Sequence, residues 1–118
     1  MAHVDHVLAV VAVSDIDKAR TWYTSLFGRE PDNHPMVTLV EWQVTDGGWV
    51  QVTEDSARAG AGLLNLAVSD LDEGVRELRE IGLGPGEILE ANKGVRLCPL
   101  TDPDGNTLHL VGDFRVIY

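Results

Sequence analysis

One short phrase occurs twice in this chain. Ala12-Val13-Ser14-Asp15-Ile16-Asp17 returns as Ala67-Val68-Ser69-Asp70-Leu71-Asp72. Each copy follows an apolar, β-rich run, and each leads into a helix-patterned stretch that closes on Phe27-Gly28 or Ile81-Gly82. The interval from Asp15 to Asp70 divides 118 residues into halves of similar length. Self-similarity at such a period marks one supersecondary unit used twice. Two copies of a twisted sheet can curl around a shared space, so the repeat predicts a site between the modules.

The first copy reads as strand, helix and meander. Val7 to Val13 is apolar on both faces, as in a well-covered strand. Ser14 or Asp15 supplies the helix N-cap, with Asp17 near the positive helix end. Ile16, Ala19, Trp22, Tyr23, Leu26 and Phe27 recur at helical spacing, and Gly28 suits the C′ position. Arg29 to Pro35 reads as a loop, and Met36–Val44 with Trp49–Thr53 as a hairpin about Thr45-Asp46-Gly47-Gly48. In the second copy, Leu63 to Val68 is a strand and Leu71, Val75, Leu78 and Ile81 are the apolar side of a helix. Glu87–Glu90 pairs with Val95–Leu100, and Thr107–Val111 returns after the turn Asp102-Pro103-Asp104-Gly105-Asn106.

Composition narrows the partners. A net charge of −10 argues against nucleic acid and anionic membrane, since phosphate binding needs a surplus of Lys and Arg. No apolar stretch approaches membrane-spanning length. A single cysteine excludes an internal disulfide and, with no leader-like N-terminal segment, predicts a cytoplasmic protein. Cys98, in a predicted strand before Pro99, reads as a small core residue rather than a nucleophile.

Strands ending Val-Ser-Asp-Ile/Leu, the helix Trp22-Tyr23-Thr24-Ser25-Leu26-Phe27-Gly28, and the late run Thr101-Asp102-Pro103-Asp104-Gly105-Asn106-Thr107-Leu108-His109-Leu110 carry a family likeness. Across essentially its whole length the chain resembles the vicinal oxygen chelate superfamily. That group includes glyoxalase I, extradiol dioxygenases, fosfomycin-resistance enzymes and bleomycin-resistance proteins. The resemblance implies an α+β fold of two tandem βαβββ modules forming a curved mixed sheet around a central cavity. We read one domain over 1–118, with module one at 1–54, a linker at 55–60 and module two at 61–118. It also implies a homodimer, as is common for members of this length.

The family's metal ligands do not carry over. Metal-using members place a His on the first strand of each module, seven positions before the helix-opening Asp. Here those positions hold Leu8 and Leu63. The last-strand ligand, usually Glu four positions after the turn glycine, is His109, and its first-module counterpart is read as Gln51. Two leucines, an amide and one imidazole do not make a divalent site. A displaced set of His6, Gln51 and His109 is the alternative, with Ni, Zn, Mn or Fe as cofactor. Strand alternation puts His6 on the face of Leu8, but about 6.5 Å further along the strand.

Without metal, the same face predicts a ligand pocket of apolar walls and few polar points. Leu8, Val10, Trp49, Leu63 and Val111 form the walls, and Gln51, Asn65 and His109 the polar points. His109 has two level readings, a general base or a neutral histidine bonded within the wall. For Trp42 and Trp49, hairpin packing or a dimer surface stands level with ligand contact, and Trp22 and Tyr23 read as core. Glu41 reads as a solvated strand face, and His3 and His34 as surface and loop. The tail Val116-Ile117-Tyr118 is a final strand, an interface element or a frayed end. The expectation is a metal-independent small-molecule-binding protein of the glyoxalase/bleomycin-resistance type, sequestering an apolar or cationic compound in the inter-module cavity. A metal-dependent lyase, dioxygenase or transferase and a ligand-free structural module are the competing classes.

Overall fold

The computed structural model describes residues 2–115; the tail at 116–118 lies outside them. Ten elements follow in order: β1 Val7–Val13, α1 Ile16–Phe27, β2 Asn33–Met36, β3 Leu39–Thr45, β4 Gly48–Glu54, β5 Leu63–Ala67, α2 Leu71–Glu80, β6 Leu89–Glu90, β7 Arg96–Thr101 and β8 Thr107–Gly112. They form two βαβββ modules, each a four-stranded mixed sheet, ordered β1-β4-β3-β2 and β5-β8-β7-β6. In each, the first strand runs parallel to the last and the other pairs are antiparallel.

Asp15, not Ser14, caps α1: its carboxylate accepts from the N–H groups of Asp17 and Lys18. Asp70 caps α2 in the same way through Glu73 N–H. Gly28 closes α1 at φ 73°, in the left-handed region that a residue without Cβ enters freely.

Three sequence expectations change. Asn33 to Pro35, read as loop, join Met36 in a short strand. It is an exposed edge where Pro35 removes no needed donor, and Asn33 Nδ2 holds it to Glu41 Oε1 at 3.1 Å. Trp42 is fully buried, its ring among Tyr23 and Phe27 and its Nε1 donating to Arg29 O at 2.9 Å, so it belongs to the core and to neither a dimer surface nor a ligand contact. Ile81 lies past the end of α2 and is exposed. Cys98 is buried, as expected.

One hydrophobic cluster runs through both modules, from Val11, Val13, Tyr23 and Val52 to Leu71, Val75, Leu108 and Leu110. A polar staple fastens the modules at one end. Buried Asp102 accepts from Tyr23 O–H at 2.8 Å, from Asp104 and Asn106 N–H at 2.9 Å, and from Asn106 Nδ2 at 2.8 Å. Asn106 Nδ2 also donates to Ala12 O at 2.8 Å, and Ser14 donates from its N–H and hydroxyl to Asp104. Four donors thus converge on the Asp102 carboxylate, as its burial requires.

Candidate functional site

Alternation along the strands separates two kinds of surface. Val11, Val13 and Leu64 turn into the shared core. Leu8, Val10 and Leu63 turn to the opposite, open faces of the sheets and remain 52%, 60% and 65% exposed. Such large apolar side chains, uncovered along strands, are the mark of a binding or pairing surface.

The registers show how the repeat builds this surface. Val10 pairs with Gln51 in the first sheet, and Asn65 pairs with His109 in the second. Since Leu8 and Val10 correspond to Leu63 and Asn65, Gln51 and His109 are equivalent positions. Their side chains are already partnered. Gln51 Nε2 donates to Glu41 Oε2 at 2.7 Å, while the other oxygen of Glu41 accepts from Asn33. Glu41, half-buried, is therefore a held carboxylate on the open face rather than a solvated one. His109 Nδ1 lies 3.0 Å from Asn65 Oδ1. With that oxygen as acceptor, His109 carries its proton on Nδ1 and keeps Nε2 as an acceptor for another group.

On the second sheet the open face is hollowed. Asn65, Ala67 and Val111 form the floor of a recess of about 410 Å³, walled by Ala91, Asn92, Val95 and Phe114. A larger cleft, about 510 Å³, lies at the junction of the modules beside both helices. Of the predicted wall, Trp49 and Asn65 line this cleft; Leu8, Val10, Gln51, Leu63 and His109 do not. The predicted residues are thus spread over two open faces and a junction cleft, not gathered in one chamber of a single chain.

The family's metal finds no fit. Leu8 and Leu63 offer no donor atom and Gln51 is engaged with Glu41, which leaves Nε2 of His109 as a lone donor. His6 is exposed and precedes β1. Among the described residues, no group of three or more His, Cys, Asp or Glu side chains is placed to hold a metal ion.

The family model for the Glyoxalase/Bleomycin resistance protein/Dioxygenase superfamily matches residues 3–110. No curated protein matches the chain. Among solved structures, a glyoxalase / bleomycin resistance protein from Catenulispora acidiphila DSM 44928 is similar at 33% identity and a TM-score of 0.83, over 91% of this chain and 96% of that one. TnmS3, an antibiotic binding protein from Streptomyces sp. CB03234, is 24% identical with a TM-score of 0.76, over 95% and 96%. A bleomycin-binding protein complexed with bleomycin is 19% identical with a TM-score of 0.78, over 92% and 98%. At those identities the last two show the fold alone.

Proposed function

This chain belongs to the Glyoxalase/Bleomycin resistance protein/Dioxygenase superfamily, and from that premise we propose that it is a small-molecule-binding protein that needs no resident metal. It sequesters an apolar or cationic compound against the open sheet faces. The observation that carries this reading is the pair Leu8 and Leu63, which stand exposed where metal-using relatives place a donor. They suit apolar contact, at roughly 25 cal/mol per Å² removed from water. Asn65, His109, Gln51 and Glu41 then supply a few fixed polar points, the usual composition of a ligand site. The net charge of −10 favours a cation over an anion. Two fold neighbours named for binding bleomycin or an antibiotic support the same class.

The working unit in this reading is a cytoplasmic homodimer with one domain per chain over 1–118. Leu8, Val10 and Leu63 are too exposed to be left to water, and a second copy laid over the open faces would enclose them. Light scattering after gel filtration should give about twice the chain mass of 12.9 kDa; a monomer refutes the closure.

Metal-free bleomycin is the first probe. Calorimetric titration should give binding that survives a chelator, is lost in Leu63→Asp and is weakened in His109→Ala. A heat signal or thermal shift that appears only with Ni, Zn, Mn or Fe(II) would overturn the metal-independent reading.

A further inference from the structure

We propose that the cleft at the module junction is a second binding site, for a small planar molecule carrying one positive charge. The argument starts from the repeat. Displacing the first module by the interval from Asp15 to Asp70 sets Ala19 on Gly74, Trp22 on Glu77 and Tyr23 on Leu78. The strand registers set the β3–β4 turn on the β7–β8 turn: Gln43 pairs with Trp49 as Thr101 pairs with Thr107. Gly48 then corresponds to Asn106 and Val44 to Asp102. Each member of the buried staple, Tyr23, Asp102 and Asn106, has a smaller or apolar counterpart in Leu78, Val44 and Gly48. All three counterparts line the cleft of about 510 Å³. The space that polar side chains fill at one end of the molecule is open at the other.

Gly74 is the second, independent observation. It sits inside α2, where glycine costs about 1 kcal/mol against alanine. A Cβ placed there would meet nothing within 4 Å, so no neighbour requires the glycine, and no left-handed backbone does either. What its missing side chain does is keep the cleft wall low. A stability cost carried at the edge of a cavity is the pattern of a site held open for a ligand.

The lining identifies the ligand class. Phe27 and Trp49 contribute aromatic rings, and Leu64, Leu66 and Leu110 the aliphatic walls. Glu77, exposed at the rim, is the one ionisable side chain among the described lining residues; its neighbour Arg76, whose charge it feels, is not one of them. No ion pair joins Glu77 to a cation among the described residues. A flat aromatic cation matches both features through stacking, cation–π attraction and the Glu77 carboxylate. The cleft volume falls within the range of drug-sized sites, roughly 300–1,000 Å³.

Berberine, a planar aromatic cation, is the probe, titrated by calorimetry into the full chain and four variants. The wild type should bind it with a Kd below about 0.1 mM. Gly74→Leu should lose at least about tenfold in affinity. Gly74→Ala, which adds only a methyl to the wall, should melt about 3 °C higher than wild type. Glu77→Gln should weaken berberine several-fold while leaving the melting temperature close to wild type. Leu63→Asp should leave berberine affinity unchanged, which separates this site from the open faces. Absent berberine binding, or affinity untouched by Gly74→Leu, overturns the proposal. Loss in Leu63→Asp with retention in Gly74→Leu overturns it too and returns the ligand to the open face. Conversely, berberine retained in Leu63→Asp while bleomycin fails to bind the wild type leaves the cleft standing and removes the open-face reading.

Discussion

Replacing Tyr23 with Phe isolates one bond in the staple between the modules. The ring keeps its place in the core, so no cavity opens, and only the O–H to Asp102 at 2.8 Å is lost. The Asp102 carboxylate then retains three donors, the N–H groups of Asp104 and Asn106 and the Asn106 amide. A buried hydrogen bond to a charged acceptor contributes about 1.5–3 kcal/mol. Unfolding entropy of about 2.1 cal/mol/K per residue gives about 0.25 kcal/mol/K for a chain of this length. Tyr23→Phe should therefore lower the melting temperature by about 6–12 °C. Thermal and urea unfolding followed by circular dichroism measure this directly. In an Asp102→Asn background the same change should cost much less, since the charged acceptor has gone. A loss below about 0.5 kcal/mol in the wild-type background would refute the staple as a source of stability.

The same bond sets an alkaline limit. Burial, and then the Asp102 charge, push the Tyr23 phenol well above its ordinary value of 10.0. The folded state thus holds the proton more tightly than the unfolded chain, so this stability is whole below pH 10 and drains as pH rises further. Between pH 9 and 11, wild type should lose melting temperature more steeply than Tyr23→Phe; parallel curves would contradict this. Gly28→Ala should cost about 1 kcal/mol by urea unfolding, all of it backbone, because φ is 73° and a Cβ there meets no atom within 4 Å. Burial raises the Cys98 thiol above its ordinary range. A chromogenic disulfide reagent should therefore label Cys98 slowly in the native protein and stoichiometrically in denaturant; rapid native labelling would show an open strand edge.

The parts of this molecule legible in the sequence are those where one residue's local role repeats. The doubled Val-Ser-Asp phrase located β1, α1, β5 and α2, because capping and 3.6-residue periodicity are local properties. The match of Gln51 with His109 could be counted from the turn glycines, and the strand registers bear it out. The β2 strand was hidden behind Asn33 and Pro35, since an edge strand tolerates residues that a central strand rejects. Trp42 misled because hairpin position says nothing about which face meets α1; its contacts with Tyr23 and Phe27 are tertiary. The repeat predicts a site between the modules, but the make-up of the junction cleft there is the least visible feature. Its signal lies in differences between the two copies, Tyr23 against Leu78 and Ala19 against Gly74, rather than in their likeness.

The staple has a consequence for the order in which the chain is made. Ser14 and Asp104 are separated by 90 positions, and Ala12 and Asn106 by 94. During synthesis at roughly 5–20 residues per second, the first strand and helix would wait about 5–20 s for these partners. Until then Tyr23 has no carboxylate to meet, and one side of the nascent first module stays unsealed. Contacts of such high sequence separation slow folding, because the loop must close before its bonds can form. A ribosome stalled before Asp102 would therefore hold a first module that is formed yet readily cut by protease, and release of the final strand would be the step that seals it.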